Sequence, residues 1–133
     1  MSIVISPRPK SERLQQILDD FSLRTTDALI TMVTTRDGLS VASVTKESIA
    51  HEEDTLAVAA SRILDMAIDI KNHLNQGKIG RILIEGAERT TIVVGAGRDT
   101  LLLVVVPTNA KLGLVMVSIQ KAAQTIAQLF NSR

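Results

Sequence analysis

The spacing of apolar positions changes several times along the chain, and each change marks an element. Leu14, Ile17, Leu18 and Phe21 recur at three- and four-residue steps, which predicts a helix from Ser11 to about Leu23, capped by Ser11. From Asp27 the chain turns β-rich through Ala-Leu-Ile-Thr-Met-Val-Thr-Thr and meets Arg36-Asp37-Gly38. Asp-Gly between two such runs signals a hairpin, usually closed by a type I′ turn. Leu39 to Val44 is the returning strand, its Leu39 and Val41 alternating with Ser40 and Ala42. After a polar loop a long helix is expected from about Glu53 to Asn75, with Gly77 as its stop. Glu52, Glu53 and Asp54 sit where it begins, and the helix dipole alone accounts for acids there. Three short strands follow, Arg81 to Glu85, Arg89 to Val94 and Thr100 to Val106, joined by glycine-containing turns. Leu101 to Val106 is apolar at six successive positions, which predicts a central strand covered on both faces. Pro107 ends it, Asn109 is expected to cap, and a last helix with core spacing reaches about Phe130.

The middle helix is apolar over too wide an arc. At about 100° per residue, its apolar side chains span roughly 200°, whereas a helix on one sheet needs little more than 100°. Leu56, Ala60, Ile63, Ala67, Ile70 and Leu74 form one stripe, suited to the sheet. Ala57, Leu64 and Ile68, with Ser61 in line, form a second that needs a cover or a partner, while Arg62, Asp65, Asp69 and Asn72 stay polar. A further hint of self-association lies in Arg81-Ile82-Leu83-Ile84-Glu85. Antiparallel pairing of this strand with its own copy, centred on Leu83, sets Arg81 opposite Glu85 twice, as a two-fold interface requires.

Composition narrows the function more than the fold. The chain has 133 residues, enough for one domain with a real core, and 15 basic against 14 acidic residues argue against a dedicated nucleic-acid binder. Phe21 and Phe130 are its only aromatics among Phe, Tyr and Trp, so base-stacking platforms and aromatic cages are excluded. Absence of cysteine removes disulfides, thiolate metal sites and cysteine nucleophiles. The first ten residues place apolar Ile3, Val4 and Ile5 before Pro7 and Pro9, the reverse of a secretory signal; a short edge strand or a frayed arm fits them. With no run long enough to span a bilayer, membrane insertion is not expected and the location is read as cytoplasmic.

A search for catalytic chemistry returns nothing that assembles. His51 and His73 lie near opposite ends of the middle helix, roughly 33 Å apart, too far to share a metal. His51 with Glu52 and Asp54 is only a partial ligand set. Gly95-Ala96-Gly97 joins two strands and lacks the helix amino terminus that binds phosphate, and Gly77-Lys78 lacks the rest of a Walker loop. Two Ser-x-x-Lys matches, at Ser43 and Ser118, have no companion motifs. No catalytic residue, cofactor site or metal site is expected, and the chain reads as a non-enzyme.

Taken in order, the elements resemble a roadblock-family domain, the dynein light-chain type related in layout to longin and profilin folds. The resemblance rests on Ala28 to Val33 with Asp37-Gly38-Leu39-Ser40-Val41-Ala42-Ser43, the alanine-rich helix from Leu56 to Ala67, and Ile82-Leu83-Ile84-Glu85-Gly86. It closes with Leu102-Leu103-Val104-Val105-Val106 leading into Asn109-Ala110-Lys111-Leu112-Gly113-Leu114-Val115. It covers about residues 12 to 130; an N-terminal arm over 1–10 lies outside it, and 11–133 form the domain. It implies an α+β fold of order αββαβββα, a five-stranded antiparallel sheet between one middle helix and two terminal helices. It further implies a dimer joined through Ile63, Met66 and Ile70 of the middle helix and through Arg81, Ile82, Leu83, Ile84 and Glu85 of the third strand. Bacterial gliding-regulator members would make it a non-catalytic regulator or scaffold of a small Ras-like GTPase. The GTPase would bind across the paired helices by Ala57, Ser61, Arg62, Leu64, Asp65 and Ile68. An adaptor without effect on GTP hydrolysis, or a small-molecule sensor, are the other readings.

Overall fold

Six consecutive apolar residues can be buried only if layers lie on both sides of their strand. The protein is described by a computed structural model covering residues 9–46 and 53–131, and there the layers are present. Its elements are α1 (Lys10–Arg24), β1 (Ile30–Thr35), β2 (Ser40–Thr45), α2 (Glu53–Leu74), β3 (Ile82–Glu85), β4 (Arg89–Gly95), β5 (Thr100–Pro107) and α3 (Leu112–Asn131). The five strands form one antiparallel sheet in the order β2-β1-β5-β4-β3, so β5 is central and β2 and β3 are edges. Leu102, Val104 and Val106 point into a core with Leu14, Leu18, Ile119 and Ile126 of α1 and α3. Leu101, Leu103 and Val105 point the other way, into a smaller core with Ala57 and Ala60 of α2. The order αββαβββα and the central place of β5 are as the sequence predicts. Ile3 to Ile5, His51 and Glu52 lie outside the described residues.

Several local expectations are corrected. Helix α1 begins at Lys10 with Pro9 at the cap position, and no side chain caps it; Ser11 is inside the helix. The Pro9 carbonyl accepts the amides of Glu12 and Arg13, both at 3.1 Å, so a proline already held at φ −54° replaces the hydroxyl. At the other end of α1, the Lys46 ammonium donates to the carbonyls of Ser22, Thr25 and Thr26 at 2.9, 3.1 and 3.2 Å. A cation on the last carbonyls is favoured by both hydrogen bonding and the helix dipole. Lys46→Met, which keeps the aliphatic stem, is expected to cost about 1–2 kcal/mol and lower the melting temperature by roughly 5 °C. Calorimetry showing no change would mean that water serves these carbonyls equally well.

The hairpin is where Asp-Gly places it, but its turn is not type I′. Asn75 is the only non-glycine residue with positive φ among the described residues, so Asp37 does not adopt it. Instead the Gly38 amide donates to the Thr35 carbonyl at 3.1 Å and Gly38 itself takes φ +95°, a three-residue loop with a left-handed glycine. The β1–β2 register slips by one residue just beyond this loop. Helix α2 explains the glycine: a Cβ on Gly38 would sit 3.3 Å from the Val58 Cα and 3.5 Å from the Ala57 carbonyl. Asn75, at φ +53°, terminates α2 in place of Gly77, and the Gln76 amide donates to the Lys71 carbonyl at 3.1 Å. Helix α3 starts at Leu112, after the Lys111 carbonyl that receives the Leu114 and Val115 amides; Asn109 lies in the preceding turn and is not its cap.

Candidate functional site

The first turns of α2 are fixed on β1, β2 and the hairpin between them. Small Ala57 and Ala60 let its backbone approach closely, and Ser61 Oγ donates to the Arg36 carbonyl at 2.6 Å. Near the start of the helix, Ser43 Oγ donates to the Glu53 carboxylate at 2.8 Å, holding α2 to β2. Fixed at that end, the helix presents three distinct surfaces.

These surfaces revise the two stripes read from the sequence. Ala57 is fully buried against the sheet, and Ala60 with it; Leu64 packs on the same core, and Ile68 is half-buried beside it. The stripe containing Ala57, Leu64 and Ile68 therefore faces inward, and the Ala57 side chain cannot touch a partner. Ile70 and Leu74, assigned to the sheet, are 52% and 65% exposed, next to Met66 at 63%. Helical spacing aligns Ala59, Ile63, Met66, Ile70 and Leu74 along one flank, which no described residue covers beyond half-burying Ile63. A wheel gives the width of an apolar arc; the contact with Gly38 sets its rotation. Arg62, Asp65 and Asp69 form the third surface, an exposed polar crest.

Among the described residues strand β3 pairs only with β4, through Ile82 to Glu85, so its outer edge meets no other described strand. Ile82 is half-buried against the α2-side core, Ile84 shares its face at 44% exposed, and Leu83 lies on the opposite face. Arg81 and Glu85 flank the strand and are exposed. Ile82 and Ile84 of this edge strand thus point to the face of the sheet that α2 covers.

Sequence reading missed a groove of about 710 Å³ between the second half of α2 and the ends of β3, β4 and β5. Leu64, Ile68, Ile82, Val93 and Leu101 line it with apolar surface, and Arg36, Lys71, Lys78, Arg81 and Arg98 supply its charge. No acidic residue lines it among the described residues. These cations are scattered over the sequence, and only the topology gathers them. Among the described residues no cluster of His, Asp or Glu is placed to hold a metal, and no helix is long and apolar enough to cross a membrane.

A family model described as a Roadblock/LC7 domain matches residues 14–106. The chain belongs to the Roadblock/LC7 family. Two uncharacterised proteins of Methanocaldococcus jannaschii are each 28% identical to this Roadblock/LC7 chain over 99 residues, 74% of it and 84% of theirs. Among solved structures, Myxococcus xanthus MglB superposes with a TM-score of 0.83 at 16% identity, covering 96% of this chain and 94% of that one. An MglB with a tetrameric arrangement gives a TM-score of 0.80 at 22% identity, covering 94% and 93%. At these identities the structures establish a shared fold: the Roadblock/LC7 sheet with one helix on one face and two on the other.

Proposed function

We propose that this Roadblock/LC7 protein is a non-catalytic homodimeric regulator or scaffold of a small Ras-like GTPase. One observation carries the proposal: among the described residues Met66, Ile70 and Leu74 leave an exposed apolar flank on α2, the helix that covers the sheet face to which Ile82 and Ile84 of the edge strand β3 point. A second copy related by a two-fold axis extends the sheet through β3, sets Arg81 against Glu85, and lays its own α2 on that flank. The tetrameric arrangement of an MglB relative supports self-association as a property compatible with this fold. The paired helices would then present Arg62, Asp65 and Asp69 outward as the docking crest for the GTPase, while Leu64 and Ile68 stay with the sheet. The dimer would act by shaping the GTPase's switch loops, leaving the chemistry to the partner's nucleotide site.

The direct test measures GTP hydrolysis by a Ras-like GTPase from the same genome, with and without this protein. Stimulation is expected, and the double variant Arg62→Glu/Asp65→Lys, altered only on the exposed crest, is expected to weaken it about tenfold or more. Binding without any change in rate would replace regulation by the adaptor reading. Failure to bind would sink both.

A further inference from the structure

The groove beside α2 is set apart from the Met66 flank and the crest, and shares with the proposed dimer only Arg81 and Ile82 at the start of β3. Ile68 in its wall and Met66 on the dimer flank are two residues apart, which turns them about 160° from one another around the helix. Its charge is also out of proportion to the chain. Basic and acidic residues nearly balance overall, 15 against 14, yet among the described residues five cations and no acid line this one concavity. Lys71, Lys78, Arg81 and Arg98 have no carboxylate within ion-pair distance among the described residues. Across the rim, the Arg36 side chain makes only a long contact among the described residues, Nη1 donating to the Arg98 carbonyl at 3.5 Å. Like charges held together without counter-ions repel, and an anionic occupant relieves that repulsion.

We propose that this groove binds an extended acidic segment of a partner protein, one in which aspartate or glutamate alternates with aliphatic side chains. The occupant must satisfy both the floor and the rim. A free phosphate uses the cations and leaves Leu64, Ile68, Ile82, Val93 and Leu101 uncovered. A nucleic-acid strand finds no aromatic side chain to stack on, since neither phenylalanine lies in the groove. An extended peptide projects successive side chains to opposite sides, so alternate aliphatic residues reach the floor while the acids between them meet Lys71, Lys78, Arg81 and Arg98. In the proposed dimer Arg81 is shared with Glu85 of the second copy, so Lys78 and Arg98 are the cations that belong to the groove alone.

Fluorescence anisotropy with a labelled peptide alternating aspartate and leucine tests this on the full chain, without any GTPase. Micromolar binding is expected, weakening as salt shortens the screening length below about 8 Å. Lys78→Glu/Arg98→Glu should weaken it at least tenfold, whereas Lys121→Glu, on the exposed face of α3, should leave it unchanged. Amide chemical shifts should move at Ile68, Ile82 and Val93 on titration, a readout confined to the groove. Equal binding of an asparagine–leucine peptide, displacement of the acidic peptide by inorganic phosphate or oligothymidine at matched charge, or undiminished binding by the double variant would each overturn the proposal.

Discussion

Met66→Glu/Ile70→Glu is expected to reduce the mass measured by light scattering from that of a dimer to the 14.4 kDa of one chain. Both side chains are more than half exposed in the single chain, so the substitutions leave its core intact. In the dimer each carboxylate would be enclosed by aliphatic surface without a counter-ion. Even about 1 kcal/mol for each of the four charges in the symmetric dimer raises the dissociation constant roughly a thousandfold. Circular dichroism should report unchanged helix content. A wild-type chain that is already a monomer at tens of micromolar would refute the dimer, and a double variant that stays dimeric would refute this surface.

The largest effect on stability is expected at Leu102. Its side chain is fully buried at the middle of the sheet, facing α1 and α3. Leu102→Ala removes buried methyl groups from a region bounded by two helices and two neighbouring strands, so little collapse is available. A loss of about 3–4 kcal/mol is expected, lowering the melting temperature by roughly 10 °C. Leu103→Ala, one position along and facing α2, should cost less, about 2 kcal/mol, because a helix held mainly at one end can settle into the space. Denaturant titrations of the two variants make the comparison, and the reverse order would show that the α2-side core is the more rigid.

The sequence revealed most where a residue's neighbours in the chain are also its physical constraint. Six apolar residues in a row state that a strand is covered on both faces, and β5 is. Asp37-Gly38 states that the chain reverses, and it does, but the turn type depends on helix α2 lying against it, which no local pattern records. Helix limits shifted for a related reason. Pro9 and Asn75 perform tasks assigned to Ser11 and Gly77, since more than one residue type can supply a cap geometry. The site was half legible: the excess apolar surface of α2 and the self-complementary β3 could be read from spacing. Which stripe faces outward could not, because rotation about the helix axis is set by Ala57 and Ala60 against the sheet and by Gly38 beneath Val58. The groove had no linear signature at all, its cations coming from a hairpin turn, a helix, a connection and a strand-to-strand loop.

Strand β5 has a consequence for how the molecule comes apart. It hydrogen-bonds to β1 on one side and β4 on the other, and its alternate side chains belong to opposite cores. Detaching it exposes both hydrophobic layers at once, so neither has a separate melting event available to it. The two faces of the sheet are therefore thermodynamically one unit, and whatever tightens the α2 face also raises the cost of opening the face beneath α1 and α3.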